Sequence, residues 1–242
     1  MARSAVSHDE KTVRYFDAQV PEYSVGRLAF AAQTITQSAD VDSSLVDLGC
    51  GAGNTLAYLV ESTPIRDVVG VDVSEGLLAR CRGHVDCPVH LASIVDPDLA
   101  TIVGRTFDVA VVAAVLHHLI GPTRKSSRAY ARTAIRNAMR LLKPGGHMVI
   151  VEPSFSPRFV MDGVFYVKKA LSSVTDRRVF VGDNYWTNFG APVVSYYGNV
   201  ELQSMIEEEG GRVVAREIIP ESLGRVDAVL SKTSTTLIVR AA

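Results

Sequence analysis

Three glycines at alternate positions are the residues of this sequence best placed to do chemistry. Gly49, Gly51 and Gly53 follow a short apolar run that begins at Ser44, and another apolar stretch follows at residues 55–60. This order predicts a strand, a tight turn and a helix. Because glycine has no side chain to block approach and tolerates unusual dihedral angles, such a turn lets an adenosine-bearing ligand lie against the backbone.

The spacing of this turn differs from the dinucleotide fingerprint Gly-x-Gly-x-x-Gly. Asn54 occupies the position of the last glycine in that fingerprint, and Asp47 precedes the first glycine by two residues. Asp72 lies 19 residues beyond Gly53, near the end of the next predicted strand. A carboxylate there can accept hydrogen bonds from ribose hydroxyls while the apolar Val73 packs on adenine. The alternative is that Asp72 is an acid favoured before a helix.

His117 and His118 follow the fourth predicted strand, and ligands collect at the carboxyl ends of parallel strands. A neutral imidazole at that place can take a proton from a hydroxyl or amine nucleophile. The alternative is that one histidine packs or caps a helix while the other faces the ligand. Both histidines are therefore candidate catalytic residues.

Alternating apolar strands and amphipathic helices predict the elements that position these residues. Strands are expected from residue 44 and at 68–73, 88–92, 107–114, 147–152, 212–219 and 234–239. The helix after the fourth strand places Ala131, Ile135, Ala138 and Leu142 on one face and is expected to end at residues 143–146, Lys-Pro-Gly-Gly. Two closing strands without a helix between them predict a hairpin. We expect an α/β fold with a seven-stranded, mostly parallel sheet, one antiparallel strand and helices on both faces.

One domain of four parts is expected. These are an N-terminal helical cap at 1–43, a cofactor-binding core at 44–152, an insertion after strand five at 153–198, and a final helix and strands at 199–242. The insertion is long and rich in aromatic residues, which favours an ordered substrate lid over a disordered loop. Its candidate acceptor-binding residues are Tyr185, Trp186, Tyr196 and Tyr197. The alternative is a small satellite core beneath the loops.

Composition excludes several classes of protein. The chain has 26 acidic and 25 basic residues and a net charge of −1, so no strong field favours nucleic acid or an anionic membrane. Cys50, Cys81 and Cys87 are too few and too widely spaced for a disulfide framework or a zinc site, so no metal is expected. The sequence has no apolar stretch of bilayer length and no signal-peptide pattern, which predicts a cytoplasmic location. The oligomeric state is not readable from these patterns.

Four motifs in order resemble those of class I S-adenosylmethionine-dependent methyltransferases of the small-molecule, natural-product type. They are the glycine turn, the acid Asp72, the segment 107–119 that ends in Leu-His-His-Leu, and the segment 141–146, Leu-Leu-Lys-Pro-Gly-Gly. The resemblance covers residues 45–152. It implies a Rossmann-like fold, S-adenosyl-L-methionine as cofactor, and in-line methyl transfer to oxygen, nitrogen or carbon of a small molecule or peptide.

The resemblance also implies roles for particular residues. Asp47 would help to hold the amino-acid end of the cofactor, and Gly49, Cys50 and Gly51 would line its methionine part. Further implied contacts are Asn54 at the turn, Ser93 and Ile94 beside adenine, the backbone of Ala113 and Ala114 near the amino-acid end, and Tyr15 and Tyr23 of the cap. Many relatives have an aspartate where Ser93 stands, and Asp96 is an alternative supplier of that contact.

Two other functions account for part of the pattern. An NAD-dependent oxidoreductase would use the same glycine turn and Asp72, but it explains the Lys-Pro-Gly-Gly segment less well, and the Tyr-x-x-x-Lys pair of short-chain dehydrogenases is missing. A methyltransferase-like protein that holds the cofactor without turnover is the other alternative. The sequence also lacks the Asn/Asp-Pro-Pro-Tyr/Phe signature of amino-directed nucleic-acid methyltransferases. We therefore expect an enzyme that methylates a small molecule or peptide.

Overall fold

Seven strands form one sheet in the computed structural model, which describes residues 25–174, 193–224 and 227–241. The strands are β1 Ser44–Leu48, β2 Asp67–Asp72, β3 Val89–Leu91, β4 Phe107–Ala113, β5 Leu142–Ser156, β6 Gly211–Glu221 and β7 Ser231–Ala241. Their order across the sheet is β3-β2-β1-β4-β5-β7-β6. The β7 strand pairs antiparallel with both of its neighbours, and the other neighbouring strands pair in parallel. The predicted sheet with its single antiparallel strand and closing hairpin is confirmed.

Helices cover both faces of this sheet. They are α1 Ala29–Ser38, α2 Asn54–Ser62, α3 Glu75–His84, α4 Leu99–Val103, α5 Arg124–Arg140, α6 Arg158–Val174 and α7 Asn199–Glu208, with 3₁₀ turns at Val25–Leu28 and Leu116–His118. One core cluster joins the sheet to α1, α2 and α3, and a second joins the opposite face to α4, α5 and α7. Because both faces are covered, the central strands consist of nearly continuous apolar residues.

Two local predictions about the helices are confirmed. Ser74 caps α3, since its hydroxyl accepts the backbone N–H of Leu77 at 3.0 Å. Ala131, Ile135 and Ala138 are fully buried on one face of α5. That helix ends at Arg140, so the predicted fourth core position of the helix belongs instead to the start of β5.

The β5 strand differs most from its prediction. It runs Leu142–Ser156 rather than 147–152, so the Lys-Pro-Gly-Gly segment lies inside the strand instead of ending a helix. Gly145 has φ +83°, and the register with β4 shifts at the same place, so the turn is taken up as an irregularity within the ladder. Lys143 then reaches Asp108 of β4 at 2.7 Å. At the other end, residues 153–156 extend the strand by pairing with β7.

Polar residues explain why the closing strands were predicted too short. Ser231, Lys232 and Thr233 lie before the predicted range but pair with β5, so β7 begins at residue 231 rather than 234. The β6 strand is also longer than expected at both ends, whereas β3 loses one residue from each end. Cross-strand pairing determines where these strands begin and end, and the polarity of single residues does not reveal that pairing.

The expected insertion contains a long helix. The α6 helix buries Met161 and Phe165, and the predicted lid residues Tyr185 and Trp186 lie outside the described residues. Tyr15 and Tyr23 of the N-terminal cap also lie outside them. Over the described ranges, no helix is long and apolar enough to cross a membrane.

Arg124, the first residue of α5, ties α6 and α7 to the rest of the domain. The side chain is buried, and its guanidinium contacts Asp162 of α6 at 2.8 Å and Glu201 of α7 at 3.4 Å. It also donates to the Ser195 hydroxyl and lies over the Tyr197 ring, 4.9 Å from its centroid. One buried cation therefore joins three helices and the segment before α7.

Replacing this cation should destabilise the domain. We expect Arg124→Met to lower the free energy of unfolding by about 3 kcal/mol, because it removes the nearest cation from the half-buried Asp162 and from the buried end of Glu201, which keep only longer contacts with other arginines. The control Arg105→Met breaks an exposed ion pair with Asp67 and should cost only about 0.5 kcal/mol. Urea unfolding measures both values. Equal losses in the two variants would contradict the role given to Arg124.

Candidate active site

The glycine turn is attached to the neighbouring strand by its backbone. The N–H groups of Gly49 and Cys50 both donate to the carbonyl oxygen of Val71, at 2.7 and 3.0 Å. Gly49 has φ +86°, and a Cβ there would lie 2.4 Å from a methyl group of Val115. Gly51 has φ +53°, and a Cβ there would meet nothing within 4 Å. The turn is thus packed on one side at Gly49 and open at Gly51, where a ligand can approach the backbone.

Asp72 joins the end of β2 to the same turn. One of its carboxylate oxygens accepts the N–H of Gly51 at 2.9 Å, and the other accepts the N–H of Ser74 at 2.9 Å. The side chain is half-buried, as is Val73 beside it. Asp72 therefore holds the glycine turn and the start of α3 together. Asn54, the first residue of α2, follows on the other side of the turn.

Asp47 is a buried carboxyl group next to the turn. It is 1% exposed, and neither of its side-chain oxygens has a hydrogen-bond partner within the described residues. Burial, and secondarily the nearby Cys81 and Asp72, raises the pKa of Asp47 well above its usual range. A buried carboxyl group without partners is costly, so a donor group brought to it would be stabilised.

The three cysteines meet behind this turn, although their spacing in the sequence suggested that they were scattered. Cys81 of α3 lies close enough to Cys50 and Cys87 for the three thiols to influence one another's pKa. The nearby Cys81 thiol, together with burial, raises the pKa of Cys50, which suits a packing residue better than a nucleophile. All three thiols are free, and the described part of the chain contains no group of side chains able to hold a metal ion.

The loop after β3 is held by a residue of α5. The buried Asn137 side chain donates to the carbonyl oxygens of Ile94 and Asp96, each at 2.9 Å. The Ile94 side chain packs into the core, and Ser93 is half-buried with its hydroxyl accepting the N–H of Val95 at 3.2 Å. The backbone of this loop is therefore fixed beside the end of β2.

Glu152, the residue of β5 just after the last pair with β4, organises the end of β4. One of its carboxylate oxygens accepts the N–H groups of Val115 and Leu116, both at 2.7 Å. The other lies 2.6 Å from Nδ1 of His117. Between them, Ala114 has φ +57°, an uncommon conformation for a residue other than glycine, and follows Ala113 at the end of β4. The carboxylate thus holds both a strained turn and the orientation of an imidazole ring.

The two histidines form part of an aromatic group. The rings of His117 and His118 are 3.9 Å apart, and the Tyr196 ring stacks on His117 at 5.2 Å and contacts Phe155 at 4.3 Å. We call these four residues the aromatic wall. Burial, and secondarily the charges of His117 and Lys168, lowers the pKa of His118 well below its usual range. His118 is therefore neutral at neutral pH.

Tyr197 lies in a different environment from Tyr196, its neighbour in the sequence. It is 1% exposed and lies under Arg124, and its hydroxyl accepts a hydrogen bond from Ser195 at 3.2 Å. Burial raises the pKa of Tyr197 to about 12. Of the two adjacent tyrosines proposed for an acceptor pocket, only Tyr196 contacts the histidines.

Comparison with known proteins identifies the domain. Residues 46–148 match the methyltransferase domain family. This segment is therefore a methyltransferase domain. The match begins in β1 and ends in β5, so it includes the glycine turn, Asp72 and the histidine pair.

Relatives of this methyltransferase domain include curated proteins and solved structures. The demethylmenaquinone methyltransferase of Symbiobacterium thermophilum is 29% identical over 69% of this chain and 66% of its own length. Nodulation protein S of Rhizobium tropici is 30% identical over 44% of this chain and 42% of its own length. The chain thus spans less than two thirds of the length of each of these two relatives.

Solved structures share the fold over nearly the whole of this chain. The N-methyltransferase NodS of Bradyrhizobium japonicum, in complex with S-adenosylhomocysteine, has a TM-score of 0.61 and 17% identity, with 96% of this chain and 98% of that chain covered. The magnesium protoporphyrin IX methyltransferase of Synechocystis with bound S-adenosylmethionine has a TM-score of 0.60 and 11% identity, with both chains fully covered. The predicted fold class is confirmed.

Sequence reasoning missed Glu152 and Asn137. Glu152 is the acidic last residue of the predicted fifth strand, and β4 and β5 are adjacent parallel strands, so its closeness to the histidines was accessible in principle. Asn137 lies among apolar residues on the inner face of α5, where a buried amide signals a polar partner. That partner is the backbone of a loop, which no sequence pattern specifies.

The open side of Gly51 can be tested with a matched glycine. Gly51 and Gly145 both have positive φ, and neither would place a Cβ within 4 Å of another residue. Replacing either with alanine should therefore cost about 1 kcal/mol of stability through backbone strain alone. We expect Gly51→Ala, but not Gly145→Ala, to weaken S-adenosylhomocysteine binding by about tenfold or more, because the added methyl group occupies the ligand's approach. Calorimetry on the two variants measures this, and wild-type affinity in Gly51→Ala would contradict the assignment.

Proposed function

We propose that this chain is an enzyme that transfers a methyl group from S-adenosyl-L-methionine to a small molecule or peptide. The observation that carries the proposal is the position of the glycine turn and Asp72 beside the Glu152–His117 pair. These groups come from the carboxyl ends of four adjacent parallel strands, which is where α/β sheets bind their ligands. When bound, the cofactor supplies an electrophilic methyl group on a sulfonium.

The residues around the glycine turn fit this cofactor. We assign Asp72 to the ribose hydroxyls, Gly49, Cys50 and Gly51 to the methionine part, and the carboxyl group of Asp47 to the amino-acid end. The loop at Ser93 and Ile94 is assigned to adenine through its backbone, because the Ile94 side chain is in the core. Two features support these assignments: the carboxyl group of Asp47, which has no hydrogen-bond partner within the described residues, and the open side of Gly51.

His117 is assigned as the general base. A carboxylate can only accept a hydrogen bond, so the proton of the neutral ring lies on Nδ1, which donates to Glu152. The other ring nitrogen, Nε2, then has its lone pair available to take a proton from a hydroxyl or amine nucleophile. Glu152 acts as a positioning residue in this scheme because it sets the tautomer and the orientation of the ring.

His118 has a different part in the same scheme. Its lowered pKa keeps it neutral, so it adds no positive charge beside the sulfonium. Together with the half-buried Tyr196 it forms an aromatic face of the kind that lines small-molecule sites. Excluding water from this surface and orienting the acceptor contribute to the rate without further proton transfer.

The acceptor is proposed to be a small molecule rather than a nucleic acid. Two of the similar proteins are named for small acceptors, demethylmenaquinone and magnesium protoporphyrin IX. The chain has a net charge of −1, which supplies no general attraction for a polyanion.

Two conservative variants test the general base. In His117→Asn the amide nitrogen replaces Nδ1 and keeps the bond to Glu152 while Nε2 is lost. In Glu152→Gln the amide donates to Nδ1 and moves the ring proton to Nε2. We expect each change to lower turnover by about 100-fold with unchanged affinity for S-adenosylhomocysteine.

The measurement is transfer of a labelled methyl group to a panel of phenols and amines, with calorimetry for cofactor affinity. His90→Asn is the matched control, because this histidine lies on the edge strand β3, which β2 and β1 separate from β4 and the histidine pair. Wild-type turnover in His117→Asn would remove His117 from the mechanism. Loss of methyl transfer in the control as well would point to general damage.

A further inference from the structure

Lys168 is a buried cation on the inner face of α6. Met161, Phe165 and Lys168 follow one another at intervals of four and three residues, so they lie on one face of the helix. All three are buried, and Lys168 is only 6% exposed. A lysine at such a position is uncommon, because burial separates its charge from water.

The ammonium group of Lys168 has no anionic partner within the described ranges. No hydrogen bond or ion pair joins it to another described residue, although its neighbour Lys169 donates to the carbonyl oxygens of Gly121 and Pro122 at 2.7 Å each. Burial lowers the pKa of Lys168 to about 8, so the amine is still mostly protonated at neutral pH. An unpaired buried charge is destabilising, and it persists where a ligand supplies the opposite charge.

The charge of Lys168 lies close to the proposed reaction site. It is one of the groups that lower the pKa of His118, whose ring is 3.9 Å from that of His117. The face of α6 that carries Lys168 also packs on the aromatic wall, since Met161 clusters with Phe155 and Tyr196 packs against that cluster. The aromatic wall of His117, His118, Phe155 and Tyr196 therefore has the charge of Lys168 beside it. This combination suits an acceptor with a flat or apolar body and one anionic group.

We propose that Lys168 binds an anionic group of the methyl acceptor, a carboxylate or a phosphate. The inference rests on the proposed function, since it concerns the acceptor of that same site. Burying an anion against Lys168 gives the ammonium group the partner that the described residues do not provide, and the aromatic wall receives the body of the acceptor. Lys168 thus selects acidic acceptors over neutral ones of the same shape.

Three probes of one size test this selection. Benzoate, phenyl phosphate and benzamide share an aromatic ring but differ in charge, and their binding to protein saturated with S-adenosylhomocysteine can be followed by NMR titration. We expect at least one of the anions to bind about tenfold more tightly than benzamide. The better of the two anions distinguishes a carboxylate from a phosphate acceptor. Equal or undetectable binding of all three probes would overturn the proposal.

A variant tests whether Lys168 itself causes the preference for anionic probes. Lys168→Met keeps the apolar stem and removes the charge, so we expect the preference for the anion to vanish. Its melting temperature should be equal to or higher than that of the wild type, because an apolar group replaces a buried charge. Lys125→Met, at an exposed position on α5, is the control for the loss of one positive charge and should keep the preference. A Lys168→Met protein that still prefers the anion would overturn the proposal.

Cofactor affinity separates this proposal from the function on which it rests. Wild-type protein that does not bind S-adenosylhomocysteine would overturn the methyltransferase function and the role of Lys168 with it. Protein that binds S-adenosylhomocysteine but treats the three probes alike would overturn the role of Lys168 alone.

Discussion

The hydrogen bond from the Gly51 N–H to Asp72 joins the two parts of the proposed cofactor site. The glycine turn follows β1, and Asp72 ends β2, so this contact of 2.9 Å helps to fix their relative position. The hydrogen bonds from the Gly49 and Cys50 N–H groups to the carbonyl oxygen of Val71 also hold the turn against β2. As a result the carboxylate and the open backbone of Gly51 are held together before any ligand binds. Preorganisation of this kind lowers the entropy cost of binding.

A second carboxylate, that of Glu152, has a corresponding structural role at the proposed acceptor site. Glu152 holds the backbone at the end of β4 and the ring of His117 with three short hydrogen bonds. Both anchors exist because β2, β1, β4 and β5 are consecutive strands of one sheet and end on the same edge. The parallel order of the strands therefore places the proposed cofactor turn beside the proposed general base, although the two are far apart in the sequence.

Much of the fold and of the cofactor half of the site is predictable from sequence. The glycine turn, Asp72 and the histidine pair are local patterns, and their strand-end positions follow from apolar runs in a regular order. The length of β5 is not local, because it depends on pairing with β7 and on an irregularity at Gly145. The same holds for the meeting of the cysteines, which requires α3 to pack behind the turn.

The acceptor half is less predictable because it depends on side-chain direction across different elements. Tyr196 and Tyr197 are adjacent in sequence, yet one stacks on His117 and the other lies beneath Arg124. Lys168 and Lys169 are likewise adjacent, and among the described residues Lys169 donates to two carbonyl oxygens whereas Lys168 has no hydrogen-bond partner. The direction of each of these side chains depends on how the segments around α6 and α7 pack, and no motif in those segments predicts that packing.

Calorimetry of the purified protein with S-adenosylmethionine, S-adenosylhomocysteine and NAD tests the central claim most directly. The structure described here predicts saturable binding of the first two at one site per chain and no binding of NAD. Binding of NAD without binding of S-adenosylhomocysteine would contradict it, and the site would then have to be reinterpreted for hydride transfer.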